Sequence, residues 1–360
     1  MEAWLHTFAF PHRVAERARQ AERWGFDGLL VADSQNLNAD VWVELALAGA
    51  ATSRIALGPG VTNPVTRHPA VTASAVATLH AETGGRAVLG FGRGDSALTQ
   101  IGRHPVPAHD FEHALTLVQG YLRGEDVVLD EGGSRIGWIA ALDARKVPVV
   151  VAATGPHVIE AGARHAEQID FTVGAEPERL RWAAGVARAA AGGRDVSLGA
   201  YVNVAVHPDR ATARELVRGS TAIFARFATE GAPHDGLSDV TRAGIERLAG
   251  RYEAARHGQA SAPIARDLED EFIDRFAIVG SAPEVRERIA ELAALGIERL
   301  VVVPGSLDAD PAQLAESDER FAADVLPALA GSGSAPAPRA SRAAGSGRIW
   351  ACPTTAAPAA

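Results

Sequence analysis

The feature that most constrains the fold of this 360-residue chain is a regular alternation of short apolar runs with longer segments that carry a helical apolar face. Residues 14–24 are one such helical segment, and apolar runs of strand length precede and follow it. Eight apolar runs are found, at residues 4–8, 28–31, 55–61, 87–91, 147–152, 169–173, 197–206 and 299–303. Eight strand–helix repeats predict an α/β fold, a closed parallel (β/α)8 TIM barrel with its active site at the carboxyl ends of the strands.

Three segments fall outside this repeat. Residues 123–146 contain strand-like pieces around two glycines, which predict a hairpin inserted after the fourth helix. Residues 232–275 predict a helical insertion before the last unit, where insertions commonly cap the barrel mouth. Residues 331–360 are rich in Ala, Pro, Ser and Gly without apolar periodicity, which predicts a disordered tail. The barrel is therefore expected to span residues 1–330.

Charge, hydropathy and cysteine content exclude several classes of function. A formal net charge of −9 argues against a nucleic-acid or anionic-membrane partner. No window approaches the ~18 consecutive apolar residues of a membrane span, and the N-terminus lacks the pattern of a signal peptide. The single cysteine, Cys352, fits a reducing cytoplasm, and no His-x-His or Glu-x-x-His spacing predicts a metal site. We therefore expect a cytoplasmic protein without a nucleic-acid or membrane partner.

The fourth apolar run ends in three glycines, at positions 90, 92 and 94, and three polar side chains. Glycine permits positive φ and lets a flat ligand lie against the main chain. Arg93, Asp95 and Ser96 add a cation, a carboxylate and a hydroxyl that a structural turn does not need. Two interpretations follow: a ligand site, or a solvated turn in which Arg93 and Asp95 pair with each other.

Other strand ends also carry polar or turn-forming residues. Asp33 and Ser34 follow the second strand, where they either cap the next segment or face the barrel mouth. Thr154, Gly155 and Pro156 follow the fifth strand and open a helix, whose exposed N–H groups and dipole suit a phosphate; an ordinary strand-to-helix turn is the alternative.

Four segments occur in order along the chain: WGFDGLLVADSQ at residues 24–35, GPGVTNPVTRHP at 58–69, GRGDS at 92–96 and ATGP at 153–156. Together they resemble the bacterial luciferase-like superfamily of flavin- and deazaflavin-dependent oxidoreductases, especially its methylenetetrahydromethanopterin reductase-like branch. The resemblance covers roughly residues 1–330. It implies a barrel, usually a homodimer, that binds coenzyme F420 or, alternatively, reduced flavin mononucleotide (FMN) at the strand ends.

The resemblance also implies roles for particular residues. The cofactor phosphate is expected at the loop formed by Ala153, Thr154, Gly155 and Pro156. A cis peptide between Gly60 and Val61 is expected to support the ring, with Asn63 as a further polar contact. The remaining expected cofactor contacts are Asp33, Ser34, Gly92, Arg93, Gly94 and Ser96.

Two residues are candidates for catalysis. Asp95 matches the position at which related deazaflavin enzymes keep an acidic residue near the ring, which predicts acid–base or substrate-positioning work. His6 lies on the first strand and is expected either beside the ring or as a hydrogen-bonded core histidine.

The expected activity is hydride transfer between coenzyme F420 and a small organic substrate. One alternative is an FMNH2-dependent monooxygenase that uses dioxygen. A second alternative is a barrel that binds flavin without turnover.

Overall fold

The computed structural model describes residues 1–129, 132–141, 145–229, 234–251, 253, 256–303 and 305–330. The predicted disordered tail, residues 331–360, lies outside this part of the chain. None of the helices in the described ranges is long and apolar enough to cross a membrane.

Eleven strands are present in the described ranges. Their bounds are β1 Glu2–Thr7, β2 Gly28–Val31, β3 Ala56–Pro59, β4 Leu89–Phe91, β5 Val127–Leu129, β6 Gly132–Ser134, β7 Val149–Ala153, β8 Gln168–Phe171, β9 Ser197–Val206, β10 Ile278–Gly280 and β11 Arg299–Val303.

Eight of these strands form the barrel, in the order β3-β2-β1-β11-β9-β8-β7-β4. Every pairing between them is parallel, and β1 pairs with β11, so the first and last strands of the repeat are neighbours. Isolated bridges from Leu57 to Ala87 and from Thr62 to Phe91 join β3 to β4 and close the circle. The (β/α)8 barrel expected from the sequence is confirmed.

The helices lie between successive strands and in the insertions. Their bounds are α1 Val14–Trp24, α2 Val41–Ala51, α3 Pro69–Glu82, α4 Ser96–Thr99, α5 Ala108–Leu122, α6 Pro156–His165, α7 Pro177–Ala190, α8 Arg210–Phe227, α9 Asp239–Leu248, α10 Pro263–Arg266, α11 Asp270–Phe276, α12 Ala282–Ala294, α13 Pro311–Arg320 and α14 Leu326–Ala330. A 3-10 turn covers Ile139–Ala141, and a π-helical turn, Phe321–Val325, connects α13 to α14.

Strand periodicity of two decides what faces the barrel interior. On β1, Ala3 and Leu5 join the core between strands and helices, whereas Trp4 belongs to the inner cluster and His6 lines the cavity above it. On β9, Tyr201 points inward and its neighbours Ala200 and Val202 point outward. The interior therefore has layers, with Trp4 below and the cavity lined by His6 above it.

Two details differ from the sequence-based expectation, and a third agrees with it. The strand β10 was missed because three residues give no usable periodicity; it pairs with the end of the long strand β9. The apolar pattern also predicts a helical stretch from 209 to about 256. This stretch is broken, since α8 ends at Phe227 and α9 starts at Asp239. The hairpin expected within residues 123–146 is present as the antiparallel pair β5–β6, whose second strand contains both glycines.

Candidate active site

A cavity of about 500 Å³ opens at the carboxyl ends of the barrel strands. Thirteen of the fifteen predicted site residues line it, although they come from strand ends spread over more than 150 positions of sequence. These residues are His6, Asp33, Ser34, Gly60, Val61, Gly92, Arg93, Gly94, Asp95, Ser96, Thr154, Gly155 and Pro156.

The other two predicted cofactor contacts, Ala153 and Asn63, lie outside the cavity wall. Ala153 belongs to the outer core because alternate residues of β7 face opposite sides, so that Ala152 and Thr154 face the cavity instead. The Asn63 side chain forms a turn, with its Oδ1 accepting hydrogen bonds from the backbone N–H groups of Val65 and Thr66, both at 3.0 Å.

His6 lies at the floor of the cavity and is only 5% exposed. Its Nε2 lies 3.0 Å from the carbonyl oxygen of Gly60, and because a carbonyl only accepts, Nε2 carries the proton. Burial lowers the pKa of His6 to about 4, against a smaller opposing effect of this hydrogen bond. At neutral pH the ring is therefore uncharged, with an unprotonated Nδ1 that has no hydrogen-bond partner in the described residues.

Tyr201 is a neighbour of His6 that sequence reasoning missed. The two rings meet edge to face with centroids 6.0 Å apart, and both line the cavity. Burial raises the pKa of Tyr201 well above its usual value, and the nearby Asp170 charge adds to that rise, so the hydroxyl stays protonated. Side chains alternate along β9, so either Tyr201 or its two neighbours must face the barrel interior. The sequence does not indicate which, because the whole strand is an apolar run.

The glycines of this region serve close packing as well as ligand access. The peptide bond between Gly60 and Val61 is cis, as the family resemblance implied. A Cβ at Gly92 would lie 2.8 Å from a methyl carbon of Val61, so the absence of a side chain there admits the neighbouring chain. Of the three glycines at 90, 92 and 94, only Gly94 adopts positive φ, at 78°.

Asp33 is both a site residue and a structural partner. It lines the cavity, and its Oδ2 accepts a hydrogen bond of 2.8 Å from Arg67, whose other nitrogen contacts Asp40. Burial raises the pKa of Asp33 although Arg67 opposes the shift. Asp33 thus faces the barrel mouth, and its carboxylate oxygens accept hydrogen bonds from the side chains of Arg67 and Gln35 rather than forming the expected cap of the next segment.

Asp95 pairs with a different arginine from the one that the sequence suggested. Its Oδ1 accepts a hydrogen bond from Nη2 of Arg226, which is 131 residues away and only 5% exposed at its side chain. Arg93 instead directs its Nε to the backbone oxygen of Val106, at 2.5 Å. Of the two interpretations of this segment, the solvated turn closed by an Arg93–Asp95 pair is therefore not supported.

The N-terminus of α6 opens into the same cavity. Pro156 occupies the first helical turn, and no side chain caps the helix, so the N–H groups of its first turn are available to a ligand. A Cβ at Gly155 would have no atom within 4 Å, which shows that the main chain there is open. Beside it, the hydroxyls of Thr154 and Thr172 form a hydrogen bond of 2.6 Å.

The outer wall comes from α8 and the insertion that follows it. Ser220, Ile223, Phe224 and Phe227 occupy one face of α8 at helical spacing and line the cavity. His257, from the insertion, lines it as well, and its pKa is lowered to about 4, first by burial and then by the charge of Arg226. Sequence reasoning missed these residues because the helical period shows which residues share a face, but not what that face covers.

Within the described ranges, no group of three or more His, Cys, Asp or Glu side chains converges in a way that could hold a metal ion.

A parallel eight-stranded barrel with a cavity at the strand ends is the architecture of a TIM-barrel enzyme. The sequence profile of the luciferase-like monooxygenase family matches residues 2–299. The chain belongs to this family and is an oxidoreductase.

Named relatives cover most of the chain. The 5,10-methylenetetrahydromethanopterin reductase of Methanolobus tindarius is 29% identical over 305 residues, 80% of this chain and 89% of that protein. The enzyme of the same name from Archaeoglobus fulgidus is 32% identical over 302 residues, 78% and 86% of the two chains. The F420-dependent glucose-6-phosphate dehydrogenase of Microbacterium testaceum is 28% identical over 315 residues, 81% and 87%.

Solved structures show the same fold. The coenzyme F420-dependent tetrahydromethanopterin reductase of Methanopyrus kandleri superposes with a TM-score of 0.68 at 23% identity, covering 91% of this chain and 99% of that one. The oxygenating constituent of 3,6-diketocamphane monooxygenase of Pseudomonas putida, in complex with FMN, superposes with a TM-score of 0.63 at 20% identity, covering 91% and 98%.

Proposed function

We propose that this protein transfers a hydride between coenzyme F420 and a small organic substrate. The observation that carries the proposal is the agreement of two findings. Relatives that align with about four-fifths of the chain include enzymes named as reductases and as an F420-dependent dehydrogenase. Eleven of the thirteen residues at the expected cofactor positions line one cavity at the barrel mouth.

The phosphate end of such a cofactor fits the N-terminus of α6. His157 and Val158 line the cavity in the first turn of this helix, and their N–H groups have no side-chain cap to satisfy them. The helix dipole favours negative charge at this end. Open space at Gly155 would let a phosphate approach the main chain.

The ring end fits the floor of the cavity. There the neutral His6 ring and the protonated Tyr201 hydroxyl are buried polar groups with no hydrogen-bond partner for Nδ1 and Oη in the described residues. A planar heterocycle with hydrogen-bonding edges suits such a surface, after a small side-chain rotation that exposes these atoms. The bound coenzyme would supply the hydride chemistry, and the protein would hold substrate and ring in contact while excluding water.

Asp95 is the side chain proposed to handle or position the substrate. Its position in the sequence matches that of the acidic residue expected from the family resemblance. Its side chain is 26% exposed in the cavity wall. Asp33, by contrast, is almost fully buried against Arg67. A partly exposed carboxylate is the better placed of the two to meet a substrate.

The test is a titration of the purified full-length protein with oxidised coenzyme F420 and, separately, with FMN, followed by fluorescence quenching. Micromolar or tighter binding of F420, together with weak FMN binding, is the expected result. Weak binding of both would contradict the proposal. A substrate screen by the absorbance of F420 then follows, for reductions and for alcohol oxidations.

The alternative is an FMNH2-dependent monooxygenase. It is favoured by the family to which the chain belongs and by the FMN complex among the similar folds. Tighter binding of FMN than of F420, with oxygen consumption in the presence of reduced FMN, would establish it instead. The second alternative, a barrel that binds flavin without turnover, would be indicated by tight FMN binding with neither hydride transfer nor oxygen consumption.

We also propose that the protein is a homodimer that uses the outer faces of α2 and α3, which lie side by side. Val43 and Leu47 on α2 and Val71 on α3 are large apolar residues that are 59%, 53% and 55% exposed. Sedimentation should report a dimer that Leu47→Glu converts to a monomer. Val128→Glu, at an 80% exposed position on β5, is the matched control and should remain dimeric.

A further inference from the structure

Arg226 occupies an unusual place for an arginine. It is the penultimate residue of α8, its side chain is 5% exposed, and its guanidinium carbon lies 5.5 Å from the centroid of the Phe227 ring. A buried arginine needs negative charge and hydrogen-bond acceptors around it. Asp95, which comes from the loop after β4, contacts it directly.

The pair links two parts of the barrel that the sequence separates. Asp95 precedes the short helix α4 after β4, whereas Arg226 comes from the end of α8. The Asp95 side chain does not cap α4. The ion pair therefore does not serve the local helix, and it leaves the partly exposed carboxylate in the cavity wall.

Arg226 also acts on His257. Burial of the ring, and to a smaller extent the positive charge of Arg226, lower the pKa of His257 to about 4, so the imidazole is neutral at physiological pH. Arg93 is the other cation on the β4 side, and its Nε is held by Val106. The remaining titratable side chains of the cavity wall are His6, Asp33, His104, His157 and Tyr201.

The surface beside this pair is apolar. Ile223, Phe224 and Phe227 lie on the cavity face of the same helix that supplies Arg226. The Phe224 and Phe227 rings meet edge to face with centroids 5.4 Å apart. A ligand on this wall would contact hydrocarbon over most of its surface and meet the carboxylate at one point.

We propose that Arg226 is a positioning residue that keeps the Asp95 carboxylate ionised at the cavity wall, so that this wall binds a hydroxyl or amine donor on an otherwise apolar substrate. The inference rests on the proposed function, because it describes the substrate end of the same site. An ionised carboxylate only accepts hydrogen bonds, and a bond from a neutral donor to a charged acceptor is stronger than one between neutral groups.

The first experiment observes the Asp95 carboxyl group without any ligand. Full-length protein labelled with ¹³C at its aspartate carboxyl carbons is titrated from about pH 8 to about pH 4, and Asp95→Asn identifies the signal. Arg226→Gln should move the protonation midpoint of this signal upward by about one pH unit or more, because the opposite charge is lost. Arg226→Lys, which keeps a cation, should restore most of the wild-type midpoint.

The matched control is Arg23→Gln. Arg23 pairs with Glu16 on the exposed face of α1, so this variant also removes an arginine–carboxylate pair, but outside the cavity. It should leave the Asp95 signal unchanged. An unchanged midpoint in Arg226→Gln would overturn the inference; if that variant does not fold, the probe comparison below decides.

The second experiment compares two probes of the same shape, cyclohexanol and cyclohexanone, by their effect on the Asp95 signal of the wild-type protein. The alcohol donates a hydrogen bond and the ketone does not, so the alcohol should bind about tenfold more tightly. Asp95→Asn should abolish the preference, measured on aromatic signals of the α8 wall. Equal binding of both probes to the wild type would overturn the inference.

The two proposals fail separately. If F420 binds but Arg226→Gln leaves the Asp95 titration unchanged, the inference is wrong and the proposed function stands. If the titration and the probe preference behave as expected but F420 does not bind, the donor-binding wall stands and the F420 assignment is wrong.

Discussion

Two arginine–aspartate pairs lie at opposite ends of the barrel interior. At the lower end, the Asp170 carboxylate and the Arg299 guanidinium are 3.8 Å apart, and Arg299 lies 4.0 Å from the ring centroid of Trp4. At the mouth, Asp95 contacts Arg226. Asp170 is fully buried, whereas the Asp95 side chain keeps 26% of its exposure.

The packing is tighter around the lower pair than around the upper one. A Cβ at Gly28 would lie 2.2 Å from the Trp4 ring, and one at Gly199 would lie 2.1 Å from Oδ1 of Asp170. The lower end therefore has no space left for a ligand. At the mouth, the pair borders a cavity of about 500 Å³.

Access of a ligand to the pair, rather than residue type, therefore separates a structural ion pair from a candidate functional one. Burial raises the pKa of Asp170 in spite of Arg299, so the lower pair is held together by packing that prevents hydration. In TIM barrels the lower face contributes to stability and the upper face to activity. The following four predictions test that division in order of decreasing free energy.

Removing the lower cation should cost stability without affecting ligand binding. Arg299→Met leaves Asp170 as an uncompensated buried carboxyl group, and we expect the free energy of unfolding at neutral pH to fall by about 4 kcal/mol. Urea unfolding followed by circular dichroism measures this change. The folded fraction should bind F420 with wild-type affinity, and a parallel loss of affinity would break the division between the two ends.

Removing the upper carboxylate should act on turnover rather than on cofactor binding. Asp95→Asn should lower turnover about 100-fold, as expected for loss of an acid–base group, while F420 affinity changes little. Steady-state kinetics with a substrate from the screen and the fluorescence titration provide the two numbers. Equal losses of affinity and turnover would contradict a catalytic role.

His6 predicts a pH dependence of stability. Its pKa is about 4 in the folded protein and 6.5 when unfolded, so between these values the unfolded chain binds more protons. Stability contributed by neutral His6 is therefore lost as pH falls through this window, by about 2 kcal/mol between pH 7.5 and pH 5. His6→Gln, which keeps a donor for Gly60, should lose correspondingly less stability in urea unfolding at the two pH values.

His257 shares the lowered pKa, so its contribution must be separated. The difference between wild type and His6→Gln isolates the His6 effect, because His257 titrates in both proteins. If the two proteins lose the same stability between the two pH values, His6 is not neutral and buried as the structure has it.

The smallest expected effect concerns the N-terminus of α6. Gly155→Asp adds a carboxylate at the N-cap, where it would accept the N–H groups proposed for the cofactor phosphate, so F420 affinity should fall about tenfold. The φ of −99° at Gly155 accommodates a side chain, and Gly155→Ala is the matched control that should bind normally. A phosphate-free deazaflavin should bind both variants equally; weaker binding to the aspartate variant would place the effect at the ring.

Strand-derived parts of the site were predictable because strand ends in a barrel converge by topology. Once eight repeats are recognised, the carboxyl ends of the strands must meet at one face, and Asp33, Asp95 and Thr154 follow from their positions alone. The side chain of Ala153 does not join them, because adjacent residues of a strand face opposite sides.

The sequence by itself determined the barrel, the family and the strand-end residues, because each depends on local periodicity or on contiguous motifs. The tertiary structure alone decided that Arg226 rather than Arg93 meets Asp95, and that Tyr201 and His257 join the cavity. These contacts depend on how α8 and its insertion fold back over the mouth. The physical reason is that an ion pair between residues 131 positions apart leaves no local pattern, since its partners are chosen by the packing of whole elements.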